Sequence, residues 1–427
     1  MLTAPDTTGG RARCRILPSV STAATTLDLN LLDGAWYAGD PYPDYRRLRD
    51  DAPAYWDPIQ RIWGISRYDD VVEIEKRTAR FTSSSGSRPR IVADYSMINN
   101  DDPLHQHKRR LVARRFTPRS VKEHEDHVRR IVTELIDAVI PTGECEVVAD
   151  LAAPLPARVI CELLGFDASF APKCREWSEV TMLEGGQYHR DGTDRDPSEP
   201  TMTAVLEFAA AALELLAARR ATPTDDLFSV WAHSEVEFPD GTVRAMIDDE
   251  IVQEALLVLD GGAETTRTVI GTMCVELARD PEQHALLVDG PGILATTGVE
   301  EFIRWVTPIL NMRRTATEDH ELHGETIRAG DELLLMYSSA NRDERVFDDP
   351  DRLDVTREHN HHVAFGFGTH FCLGASLARL EIRVIFEEIL RRLPDLTLAP
   401  GAEPRRVPSA FAVGYDAIPM VFTPNRV

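Results

Sequence analysis

The chain has 427 residues, a hydrophobic share of 43% and a formal net charge of -23. No Ser/Gly-rich linker, composition break or internal repeat divides it, so one large domain over residues 28–427 is expected. The acidic balance excludes a nucleic-acid partner, which requires a cationic surface.

Residues 1–27 hold Thr, Ala, Gly, Pro and Arg without an apolar run and read as a disordered tail, not a signal peptide or anchor. Helical periodicity then dominates. Helices are expected at Tyr42–Asp51, Tyr68–Lys76, His105–Phe116, Ser120–Val139, Pro156–Leu164, Ala171–Leu183, Pro200–Ala221, Ile247–Asp280, Gly298–Trp305 and Leu373–Leu393. Alternating stretches at Tyr55–Ile65, Glu321–Ile327, Glu332–Tyr337 and Ala412–Phe422 read as small sheets. The fold class is therefore mainly α with small β-sheets. Two non-periodic loops stand out, residues 82–100 and the polar stretch 184–199. No stretch is expected to supply the roughly 20 apolar residues of a bilayer span, which places the chain in the cytoplasm. The six cysteines lack CxxC spacing, so neither a disulfide framework nor a zinc ribbon is expected.

Chemistry concentrates in "AFGFGTHFCLGASLARLE", Ala364 to Glu381. A single thiol, Cys372, stands at the entrance of a helix, where the dipole and free N–H groups favour a thiolate. Glycines at 366, 368 and 374 allow a flat object to approach the backbone. Two readings follow: an axial bond to haem iron, or a buried structural cysteine at a strand-to-helix turn.

"FGFGTHFCLG" resembles the haem-binding signature of the cytochrome P450 superfamily, F-x-x-G-x-x-x-C-x-G, with Phe365, Gly368, Cys372 and Gly374 in the matching places. The resemblance implies a triangular helical prism holding haem b between a long distal helix and the cysteine helix. Cys372 would be the iron ligand, with Gly366 among the residues making room for the porphyrin. "EEFIRW" resembles the family's E-x-x-R helix through Glu301 and Arg304, and "FDDPDRLD" supplies Arg352 to complete a structural Glu-Arg-Arg cluster. "DDPLHQHKRRLVARRFTP" resembles the propionate-binding helix, with His105 and Arg109 on one face; Arg313 and His370 would join them.

"LLVLDGGAETTRTVI" carries Gly261, Gly262, Glu264 and Thr265 in the places of the family's (A/G)-G-x-(D/E)-T motif. The resemblance implies room for dioxygen at the glycines, an oxygen contact from Thr265 and a proton relay through Glu264. Asp260 departs from the family, which has an aliphatic residue there. It is expected either to accept a hydrogen bond from a substrate hydroxyl or amine, or to point at a neighbouring Arg or water. Ile98, Ile309, Leu310 and Phe411 are further candidate pocket residues.

Several runs, among them "DLAAPLPARVICELLG" and "IPMVFTP", are similar to actinobacterial members that oxidise sterol side chains. The activity implied is monooxygenation of a hydrophobic, steroid or terpenoid-like molecule, with electrons from NAD(P)H through a ferredoxin reductase and a ferredoxin. Oxidative coupling, desaturation and non-catalytic haem binding are the alternatives. Arg110, Arg114, Arg115, Arg379 and Arg383 are candidates for a basic ferredoxin-docking patch.

Overall fold

A computed structural model of the chain describes residues 27–183 and 199–424. The expected N-terminal tail (residues 1–26) and most of the polar loop at 184–199 lie outside the described residues. The axis of the fold is a 32-residue helix, Asp248–Arg279, about 48 Å long at 1.5 Å per residue. Asp248, Asp249 and Glu250 occupy its first turn and Arg279 its last, both favourable to the helix dipole. The Glu250 carboxylate also accepts the Ile247 N–H at 2.8 Å and caps the start. Around this helix pack Pro154–Leu164, Ala171–Leu183, Glu199–Ala221 and the cysteine helix Ala375–Arg392.

The largest sheet has five strands in the order Ala54–Asp57, Ile62–Ile65, Glu332–Leu335, Met312–Ala316, Phe81–Thr82. Only the pairing of Glu332–Leu335 with Ile62–Ile65 is parallel. Met312–Ala316 is a strand that the sequence reading did not anticipate. Its register sets Leu334 opposite Arg313 and Leu333 opposite Arg314, so the two arginines point to opposite faces.

Two other expectations change. Ser120–Val139 is two helices, Pro118–Glu123 and Glu125–Val139, meeting at His124. Of Ala412–Phe422 only Pro419–Val421 is a strand, pairing with Glu144–Glu146 and Thr397–Leu398; Ala412 makes a lone bridge to Ile309.

The expectation of no span-like stretch is also corrected. Pro200–Ala221 has a mean hydropathy of 1.6 and is long and apolar enough to cross a bilayer by composition. The chain uses it against its own core. Ala204, Phe208, Ala212 and Leu216 recur every fourth residue and pack into the main hydrophobic cluster, while Met202, Leu206 and Leu213 stay exposed.

Candidate active site

Cys372 lies at the mouth of the cysteine helix, its N–H donating to the Phe365 carbonyl at 2.8 Å. It is a free thiol, partly exposed. Burial pushes the thiol above its ordinary value; the N–H groups of Gly374 and Ala375 and the charges of Arg109 and Arg379 oppose that rise. Gly366 and Gly368 hold φ of +67° and +70°, which a side chain rarely adopts. A Cβ on Gly368 would also meet the Glu75 carbonyl oxygen at 3.0 Å. The Arg379 guanidinium lies 4.6 Å from the Phe365 ring centre.

Beside the thiol the structure gathers a cationic cluster. His105 and His370 pack edge-to-face with ring centres 4.1 Å apart. Both imidazole nitrogens of His105 are buried without a hydrogen-bond partner. Arg109 donates to the Phe371 carbonyl at 2.6 Å. Burial, then the charges of Arg314, His105 and Arg109, push His370 down to about 2, and burial lowers His105 as well.

Arg313, expected here, is not part of this cluster. It bonds the Ser85 and Gly86 carbonyls and pairs with Glu332 at 2.9 Å. The cation on the site's face is Arg314, which pairs with the buried Glu75 at 3.0 Å. The physical reason is strand parity: a one-residue shift in Met312–Ala316 exchanges the faces. Arg314 was legible only by recognising that strand.

On the distal helix the two glycines differ. A Cβ on Gly261 would meet nothing within 4 Å, whereas one on Gly262 would lie 2.7 Å from Ile160 Cγ1. Gly262 therefore serves helix packing, which corrects the expectation that both make room for oxygen. The Thr265 hydroxyl donates to the Gly261 carbonyl at 2.9 Å. Glu264 is buried, accepts from Ser178 at 3.3 Å and ion-pairs with Arg267; Arg267 approaches Glu179, which lines a surface groove, at 3.6 Å. Burial raises the Glu264 carboxyl above its ordinary value, with Arg267 pulling the other way. Asp260 accepts from the Thr181 hydroxyl at 2.7 Å, and burial pushes it up to about 7.

The Glu301–Arg304 pair is fully buried and bidentate, at 2.8 and 2.7 Å. The third guanidinium belongs to Arg357, whose Nε reaches Glu301 at 3.2 Å. Arg352, expected in that role, points its side chain to solvent and contributes only its carbonyl, to Arg304 and Arg357. Asn360 and the Asp354 N–H also bond Glu301, and Asn341 joins the network to Val363, which leads into the cysteine loop.

Comparison with known proteins identifies the family. A family model described as "Cytochrome P450" matches residues 294–414. A steroid C26-monooxygenase of Mycolicibacterium smegmatis is 42% identical over 94% of this chain and 98% of its own. The chain belongs to the cytochrome P450 family. Among solved P450 structures, Mycobacterium marinum CYP268A2 in complex with pseudoionone superposes with a TM-score of 0.84 at 31% identity, over 93% of this chain and all of that one. CYP109E1 from Bacillus megaterium in complex with testosterone gives 0.82 at 30% identity, over 90% and 98%. The protein is a P450 monooxygenase, and its family implies a haem-iron cofactor, redox partners, dioxygen and a hydrophobic substrate.

The residues of this P450 fit haem. Cys372 offers a soft ligand at a helix mouth. The unpartnered His105 imidazole, with Arg109, Arg314 and His370, suits two buried carboxylates. Gly261 presents bare backbone on the distal helix. Among the described residues no cluster of His, Cys, Asp and Glu could hold a bare metal ion.

Of the pocket candidates, Phe411 and Ile309 cluster with Met182, Ala412, Met312 and Val407. Ile98 is half-buried. Leu310 does not join this cluster: it belongs to a separate core with Leu31, Leu32 and Tyr37, because neighbours in an extended segment face opposite ways. The proposed basic patch shrinks as well. Arg379 is paired with Glu300, Arg383 with Glu125 and Glu387, and Arg115 with Asp225. Arg110 and Arg114 are exposed and carry no ion pair among the described residues.

Proposed function

We propose that this P450 inserts one oxygen atom from dioxygen into a steroid or terpenoid-like molecule, with electrons from NAD(P)H through a ferredoxin reductase and a ferredoxin. The observation that carries the residue assignment is the cluster of His105, Arg109, Arg314 and His370 beside Cys372. Cys372 would ligate the iron of haem b, and the cluster would receive the propionates. Phe365, Gly366 and Gly374 shape the proximal side. Thiolate-bound haem supplies reductive activation of dioxygen.

The protein's share is proton delivery and positioning. Glu264, raised above the ordinary carboxylate value by burial and flanked by Ser178 and Arg267, is the relay's acid. The Thr265 hydroxyl, four residues on from Gly261, passes the proton to the space that Gly261 leaves open. The apolar cluster around Phe411 excludes water and takes the substrate skeleton. The relatives support the substrate class: one is named for steroid C26 oxidation, and one was solved with testosterone.

The test is spectroscopic first. Reduced protein under carbon monoxide gives a thiolate-haem band, and Cys372→Ala abolishes it. A steroid panel then shifts the low-spin spectrum to high spin, and turnover with ferredoxin and reductase yields a hydroxylated product. A wild-type band that persists in Cys372→Ala refutes the assignment. Glu264→Gln keeps the band and slows turnover.

A further inference from the structure

Two polar side chains, Arg88 and Asp260, adjoin the apolar cluster around Phe411. Arg88, from the 82–100 loop, lays its guanidinium over the Phe411 ring, 4.1 Å from the centre. Its Nε and one terminal nitrogen are buried without a hydrogen-bond partner. Three N–H donors buried without a partner among the described residues are costly to leave unpaired. Phe411 clusters with Met182, and the residue before Met182, Thr181, is the one that bonds Asp260. That bond uses one carboxylate oxygen; the other makes none among the described residues. Arg88 is close enough for its charge to act on Asp260, yet the two form no ion pair. Arg88 over Phe411 and Asp260 on Thr181 thus stand as a donor and an acceptor that do not pair with each other among the described residues.

A guanidinium only donates and an ionised carboxylate only accepts, so above about pH 7 one ligand group satisfies both only if it accepts and donates. A hydroxyl does so. We propose that Arg88 and Asp260 clamp a hydroxyl group of the substrate, making this enzyme selective for an alcohol over the corresponding hydrocarbon. Arg88 donates to the hydroxyl oxygen, and the hydroxyl proton goes to the free oxygen of Asp260. The clamp rests on the reading of the Phe411 pocket as the substrate site. Asp260 immediately precedes Gly261, so the clamp stands at the end of the pocket where the distal helix is bare.

Equilibrium dialysis with the holoenzyme tests this, using androstane, androstanol and the matching carboxylic acid as probes. Hydrogen bonds to charged groups predict that androstanol binds at least roughly tenfold tighter than androstane. Arg88→Met and Asp260→Leu each cut that preference to about threefold or less, while Asp260→Asn, which keeps an acceptor, retains most of it. Melting temperatures verify that the variants are folded. The clamp is overturned if androstane and androstanol bind equally, if both variants keep the wild-type preference, or if the acid outcompetes the alcohol, which would make Arg88 a carboxylate site. The carbon monoxide band on the same samples separates the two readings. Preference lost with the band intact supports the clamp; preference present without the band refutes the haem-thiolate assignment and leaves the clamp standing.

Discussion

Alanine at the two adjacent distal-helix glycines is expected to act with opposite sign. In a helix interior Ala is favoured over Gly by about 1 kcal/mol. At Gly261 nothing lies within 4 Å of the added methyl, so Gly261→Ala keeps most of that gain. At Gly262 the methyl would lie 2.7, 2.8 and 3.2 Å from Ile160 Cγ1, Cδ1 and Cβ. Ile160 is buried in the Pro154–Leu164 helix, where a β-branched side chain has one strongly preferred rotamer and cannot swing away. Overpacking of this kind costs about 1–3 kcal/mol, leaving a net loss of up to about 2 kcal/mol. An unfolding entropy of about 2.1 cal/mol/K per residue gives the whole chain roughly 0.9 kcal/mol/K. Gly262→Ala then melts about 2 °C lower, and Gly261→Ala up to about 1 °C higher. Scanning calorimetry on haem-replete protein reads both. Ile160→Ala alone costs about 2–4 kcal/mol, but its cost falls by about 1 kcal/mol or more in the Gly262→Ala background, because the clash is gone. Equal melting of the two glycine variants, or an Ile160→Ala cost unchanged by the background, refutes the packing role. Gly261→Ala is expected to keep the fold and lose turnover.

Arg357→Ala removes a charge partner from the fully buried Glu301 and is expected to cost about 3 kcal/mol, read by denaturant midpoint. Arg352→Ala, a solvent-facing change, stays within about 0.5 kcal/mol. For Glu300, burial raises the carboxyl, but bidentate Arg379 and His362 outweigh it and bring it from 4.5 down to about 2. Its folded value lies below its unfolded one, so its stabilisation is complete above about pH 4.5 and is lost as pH falls toward 2. Glu300→Gln therefore flattens the stability-versus-pH curve in that window, measured by urea midpoints. Charge reversal at Arg110 and Arg114 lowers the rate at which reduced ferredoxin reduces this P450 about tenfold at low ionic strength, with the gap closing as salt is added. A salt-independent rate excludes docking there.

The helices and the cysteine loop were legible because their periodicities and glycines are local. Long helix ends came within one or two residues, since Asp248 and Arg279 announce themselves by charge. The errors were non-local. Nothing in "MRRTA" says which arginine faces inward; the partner strand Glu332–Leu335 decides it. Sequence alone does not separate Arg352 from Arg357 as the third guanidinium; the chain's path from Asp349 to Arg357 decides it. Gly261 and Gly262 look interchangeable in sequence because Ile160, which separates them, lies a hundred residues upstream. Arg88 gave no signal at all, since its place over Phe411 depends on an irregular loop.

Glu301 draws ligands from its own helix and from positions 354, 357 and 360, all before the chain reaches the thiol. The mould is thus cast by protein atoms alone. Newly made chains lacking the pigment are expected to keep that loop in shape, so that loading becomes insertion into a waiting slot rather than the last act of folding.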